Sequence, residues 1–185
     1  MTKKEFSKTN EQGFSLIELL FVSVIMLFVL GIMATIVSGV QSNYRVFRDR
    51  AERHTDAMAS LNLITRIIRN AGDNTTQTAL TATGNSRLQV KSDWTTEDNS
   101  LDDAFENVEF YVSNNILYMV SNGSSTTTAE LAQNIQSITF EYFDTNGATT
   151  ATMTNVANVR VTLTLAGESK TLVGTASVRK MIQPK

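Results

Sequence analysis

Cysteine is absent from the 185 residues, so no disulfide framework and no zinc–thiolate site can form. A folded core in an oxidising compartment would have to hold without covalent staples. Histidine occurs once, as His54, and the single proline lies outside the stretch from Phe14 to Ala71. With one histidine, no cysteine, no P-loop and no G-x-G-x-x-G, the chain carries no recognisable catalytic constellation and no cofactor is expected. Lysine and arginine are missing from Ser92 to Val159, a stretch that holds ten acidic residues. Phosphate neutralisation needs Lys or Arg, so that part of the chain argues against nucleic acid as a partner. The basic residues gather instead in a short segment, with Arg45, Arg48, Arg50, Arg53, Arg66 and Arg69 against Asp49, Glu52 and Asp56.

What the sequence does contain is one long apolar run, FSLIELLFVSVIMLFVLGIMATIV, from Phe14 to Val37. About 20 such residues span a bilayer. A secretory signal peptide would have a shorter apolar region, about 7–15 residues, followed by a small-residue cleavage site, and no convincing small-x-small site follows here. Lys3, Lys4 and Lys8 precede the run and favour a cytoplasmic start. A plain signal anchor would satisfy all of this except Glu18, the only charge in the run. A carboxylate deep in a bilayer costs roughly 2.5–3.5 kcal/mol and usually has a partner. A cut after Gly13 would supply one, because the new amine at Phe14 would lie one helical turn from Glu18.

The stretch Gly13-Phe14-Ser15-Leu16-Ile17-Glu18 resembles the processing signature of type IV pilins and of the pseudopilins of type II secretion. The resemblance implies a charged leader removed after Gly13 by a membrane prepilin peptidase, N-methylation of Phe14 by the associated methyltransferase, and Glu18 as an assembly residue. It also implies a single-pass inner-membrane subunit that moves into a pilus or a periplasmic filament. Its partners would be other pilins or pseudopilins, met through the N-terminal helix. A weaker likeness to minor pilins of the PilW type extends to the run SLNLITRIIRNAG and to Ile135–Tyr142, although the head is short for that group and lacks its cysteines. J-type pseudopilins share the outline, and a surface-binding module that uses its helix only as an anchor is a reading of another class.

The division that follows is a leader over 1–13, a transmembrane or filament-core helix over 14–38, an amphipathic half over 39–71 and a globular head over 72–185. The amphipathic half has good helix formers and an apolar or small stripe at Phe47, Ala51, His54, Met58, Leu61, Thr65 and Ile68, broadened by Ile64. Gly72 is placed to cap it. Strands are expected at Arg87–Lys91, Val108–Ser113, Ile116–Ser121, Ile135–Asp144, Val156–Leu165 and Lys170–Lys180, with Asn114-Asn115 as a two-residue hairpin turn. Residues 73–86 and 122–130 read as loops. A long helix followed by an antiparallel β-sheet head is an α+β fold, with the Met58–Leu61–Ile68 stripe covering the sheet.

Two further features bear on ligand binding. Asp98, Ser100 and Asp102 alternate, with Glu109 at the twelfth position, which superficially follows a calcium loop. The sixth position is Asp103 where a glycine is required, so a polar loop is the better account. Trp94 beside it is expected as a core or edge aromatic, with a ligand contact as the alternative. His54 lies on the helix stripe and is expected as a packing residue.

Overall fold

The computed structural model describes residues 15–72, 78–93, 100, 101, 103, 105–168 and 170–178. It divides into two compact units, Met1–Asp49 and Arg50–Lys185. A single helix, α1, runs from Leu16 to Arg69. Within it Ser23, Thr35 and Ser38 each donate a hydroxyl hydrogen bond to the carbonyl four residues back, at Leu19, Gly31 and Ala34. Polar side chains in the apolar half are thereby satisfied within their own helix. The helix stops as the sequence indicates, with Gly72 at φ 78°, a left-handed position that glycine occupies without a Cβ penalty. The Gly72 amide then donates to the Lys91 carbonyl at 2.9 Å, tying the helix end to the head.

Among the described residues the head contains eight strands in two antiparallel sheets. The first sheet is a meander of β1 (Leu80–Ala82), β2 (Leu88–Lys91), β3 (Asn107–Ser113), β4 (Ile116–Asn122) and β5 (Thr126–Gln133), in that spatial order. The second is β6 (Ile135–Phe143), β7 (Asn158–Leu165) and β8 (Thr171–Ser177), again in chain order. Asn114 and Asn115, at φ 52° and 60°, make the β3–β4 connection a two-residue turn of the kind whose twist matches the strands. One residue, Asn134 at φ 60°, separates β5 from β6 and switches the chain between sheets. Asparagine tolerates that left-handed conformation better than most side chains. The Phe140 amide donates to the Asn85 carbonyl at 2.8 Å, linking β6 to the β1–β2 turn.

Two expected loops contain strands. Residues 122–130 lead into β5, and residues 73–86 contain β1. Neither strand shows the alternation that reveals a half-buried strand. In β5 only Ala132 is buried, and β1 contributes only Leu80 to the core. Both are held by backbone pairing to one neighbouring strand, β1 to β2 and β5 to β4, rather than by burial of their own side chains.

The core lies between residues 57–69 of α1, with Ala71 just beyond its end, and the inner faces of the sheets. Phe110 and Phe140 are the largest fully buried side chains. Val159, Val161, Leu163 and Leu165 alternate inward along β7, as expected from the sequence. The helix face needs a correction. The buried residues are Ala57, Ser60, Leu61, Ile64, Thr65, Ile67 and Ile68, whereas Met58 is 44% exposed and Phe47 is 67% exposed. The packed face is therefore rotated towards Ala57 and Ser60. Two close approaches seat the helix on the sheets. A Cβ built on Gly174 of β8 would lie 2.9 Å from Thr65 Cγ2 and 3.1 Å from Leu61 Cγ and Cδ1. Ser60 likewise comes near enough to donate to the Leu131 carbonyl of β5 at 3.0 Å. Small residues are needed on that side of the helix, and small residues carry little hydrophobic signal.

Candidate functional site

The site indicated by the sequence is the start of α1. Gly13 and Phe14 lie outside the described residues. Glu18 is described, on the first turn of the helix. Its Oε2 accepts a hydrogen bond from the Ser15 amide at 3.0 Å, and its own amide donates to the Ser15 carbonyl at 3.0 Å. Ser15-x-x-Glu18 thus follows the capping-box spacing, with the glutamate reaching back over an orphan donor. A negative side chain here also faces the positive end of the helix dipole. The signal for that local role is S-x-x-E ahead of an apolar run, which a view of Glu18 solely as a charge in lipid overlooks.

From Leu16 to Val40 the large apolar side chains are exposed on every side of the helix. Among the described residues α1 is the one helix long and apolar enough to cross a membrane. A Cβ placed on Gly31 would meet no heavy atom within 4 Å beyond its own stretch of helix, and Gly31 forms a shallow apolar notch with Leu27, Phe28, Ile32 and Thr35. A surface that is apolar all round belongs against lipid or other apolar helices rather than water.

Of the remaining candidates, those among the described residues do not assemble into a site. Asp98, Asp102 and Trp94 lie outside the described residues. Ser100 is half-buried, and Glu109 sits in β3, where its Oε1 is 3.1 Å from Arg87 Nη1. The twelfth position of the calcium-like spacing is therefore occupied by an ion pair on a strand. Among the described residues no group of three His, Asp or Glu side chains is placed to hold a metal ion. His54 is half-buried on α1.

The outer faces of the sheets carry an arrangement not expected from the sequence. Arg87 lies over the Tyr111 ring, 4.3 Å from its centroid, while pairing with Glu109. Arg160 lies over the Phe143 ring at 4.8 Å and pairs with Glu141 at 3.1 Å. In both, an arginine from the neighbouring chain segment covers a Glu-x-aromatic pair on one strand, Glu109-Phe110-Tyr111 and Glu141-Tyr142-Phe143. The repeated pattern is the available signal. Tyr142, between the second pair, points inward. Burial pushes its hydroxyl up to about 12, and that oxygen has no hydrogen-bond partner among the described residues.

Comparison with known families gives a match over the start of the chain. The family described as the prokaryotic N-terminal methylation motif matches residues 8–34. No curated protein matches the chain. The matched segment covers the Gly13-Phe14 junction, Glu18 and most of the exposed apolar helix. It supports a type IV pilin-like protein, of pilin or pseudopilin type. A signal of this class implies processing by prepilin peptidase and assembly with other pilins. With the apolar helix, it is consistent with a single-pass inner-membrane anchor before assembly.

Proposed function

We propose that the chain is a minor type IV pilin, a structural subunit that primes the pilus or sits at its tip. The observation that carries this reading is the methylation motif over residues 8–34 on a helix whose apolar half is exposed all round. Such a segment suits transfer from lipid into a bundle of like helices, since both surroundings are apolar. A signal of pilin type points to a structural subunit rather than an enzyme.

In this reading residues 1–13 are the leader, cut between Gly13 and Phe14, and Phe14 is N-methylated. Residues 14–38 form the membrane and filament-core part, 39–71 the amphipathic half and 72–185 the head. Glu18 pairs with the Phe14 amine of a neighbouring subunit, because a lone carboxylate in apolar surroundings is costly and a pair is less so. Before assembly, the Ser15 amide is its partner. Pseudopilins share the motif, and the presence of the mature chain on purified pili separates the two readings. The deciding measurement is N-terminal mass spectrometry of the protein from filaments of its native host. A chain starting at methylated Phe14 is expected, and intact Met1 in assembled filaments would overturn the proposal.

A further inference from the structure

The outer face of the first sheet carries a row of side chains that is complete at one end only. From the residue before β2 across β3 to β4 it reads Arg87, Tyr111, Tyr118. Arg87 lies on the Tyr111 ring at 4.3 Å, and Tyr111 stacks on Tyr118 with centroids 5.5 Å apart and planes 28° apart. The next residue across the sheet is Glu130 of β5, registered opposite Tyr118. The register shifts between Leu117 and Tyr118, so Leu131 is the extra residue of a bulge in β5 and Glu130 stands opposite Tyr118 at its near end. Glu130 is exposed and forms no ion pair or hydrogen bond among the described residues.

A carboxylate beside the face of a ring gains nothing from it, because the face is the negative part of the ring's quadrupole. A cation between the two would gain from both. The head uses that combination twice. Arg87 is held by Tyr111 and Glu109, and Arg160 by Phe143 and Glu141. Tyr118 and Glu130 are the same two components without the third. The strands β3 to β6 supply no cation of their own, since Lys and Arg are absent from Ser92 to Val159. The place is also reachable, because β5 is the edge strand of its sheet and residues 126–130 are exposed.

We propose that Tyr118 and Glu130 form a docking site for an arginine or lysine side chain of a neighbouring subunit. Guanidinium is the better fit, because it can lie flat on the Tyr118 ring while donating to the Glu130 carboxylate. The proposal rests on the reading of the chain as a filament subunit and adds a head-to-neighbour contact to the one made by the helices. It gives the acidic, Lys- and Arg-free part of the head a basic partner, so the contact weakens with salt.

The test uses the full chain in filaments of its native host, with a photo-crosslinking benzoylphenylalanine at Thr128, an exposed residue two positions from Glu130. The chain's presence in the filament is scored separately from the cross-link. Expected is a cross-link to a peptide bearing Arg or Lys within a few residues of the attachment point. Its yield should fall about two- to fivefold in Glu130→Gln and again in Tyr118→Leu. Glu130→Gln changes one exposed side chain and keeps the fold, so it decides the matter even if Tyr118→Leu is unstable. Glu130→Lys should lower the yield further, because it places the chain's own cation on the ring. A chain present in filaments that gives no such cross-link, or one unaffected by Glu130→Gln, overturns the docking site and leaves the subunit reading intact. A chain absent from filaments overturns both.

Discussion

Gly174 offers the sharpest test of how the helix seats on the head. Its replacement by alanine puts a Cβ 2.9 Å from Thr65 Cγ2 and 3.1 Å from two atoms of Leu61. Glycine to alanine in a strand ordinarily stabilises by about 0.4–1 kcal/mol, through the unfolded state. Overpacking opposes this and costs about 1–3 kcal/mol. The contact distances decide in favour of overpacking, so Gly174→Ala should destabilise by about 1–2 kcal/mol. Thr65→Ser removes the nearest methyl and retains the hydroxyl that donates to the Asn62 carbonyl at 3.0 Å. Alone it should cost about 1 kcal/mol, the worth of one buried methyl. In the Gly174→Ala background the same change vacates the space that the new Cβ needs. The double variant should therefore be about 1 kcal/mol more stable than the sum of the two single effects. Thermal unfolding of the full chain in neutral detergent, followed by circular dichroism, reads this as a difference of a few degrees. Gly174→Ala raising the midpoint, or additivity within about 0.3 kcal/mol, would refute the close approach.

Leu61→Ala should cost about 2–5 kcal/mol, since Leu61 lies in the core, while Met58→Ala should change stability by less than about 0.5 kcal/mol; equal effects would restore the face expected from the sequence. Tyr142 should make the head sensitive to alkali. Its folded value near 12 lies above the ordinary 10, so the contribution is present below pH 10 and is lost as pH rises from 10 towards 12, by about 2–3 kcal/mol in all. Tyr142→Phe should flatten that fall in pH-dependent denaturation, and it should not destabilise at pH 7 because the hydroxyl has no partner to lose. Glu18→Val should leave membrane insertion and cleavage after Gly13 intact while lowering the ratio of filament-borne to membrane-borne mature chain; an unchanged ratio removes Glu18 from assembly.

The helix, its glycine stop and six of the eight strands are legible in the sequence for physical reasons that differ. The apolar half of α1 announces itself by length. Strands β6 and β7 announce themselves by alternation, and the β3–β4 hairpin by two asparagines at positions that require positive φ. Strand β5 stays hidden because Thr126–Glu130 buries nothing, and backbone pairing leaves no mark in side-chain pattern. The packed helix face differs from the expected one by a neighbouring stripe, because Leu61 and Ile68 belong to both stripes. What distinguishes them is the close approach of Ser60 to the Leu131 carbonyl, a property of two elements together. At the site, the motif of residues 8–34 is visible in full. The reciprocal hydrogen bonds of Ser15 and Glu18 are visible only in outline, and the arginine–ring stacks are not visible, since each joins residues about 20 positions apart.

Among the described residues, every strand in the head pairs with strands adjacent to it in the chain. The ordering bears on how quickly the head can be made. Each new hairpin extends a surface that already exists, so no pairing has to wait for a distant segment, and the loop-closure entropy of each step stays small. The first sheet can be laid down strand by strand from β1 to β5. The single residue Asn134 then turns the chain on to the second sheet, which is laid down in the same way. A chain anchored by its first residues can thus condense from the anchored end outward as the rest becomes available. The growing edges of β2, β3, β4 and β7 are each covered by the next strand made, which shortens the time for which they could pair with a strand of another molecule, while β1 and β5 keep an open edge.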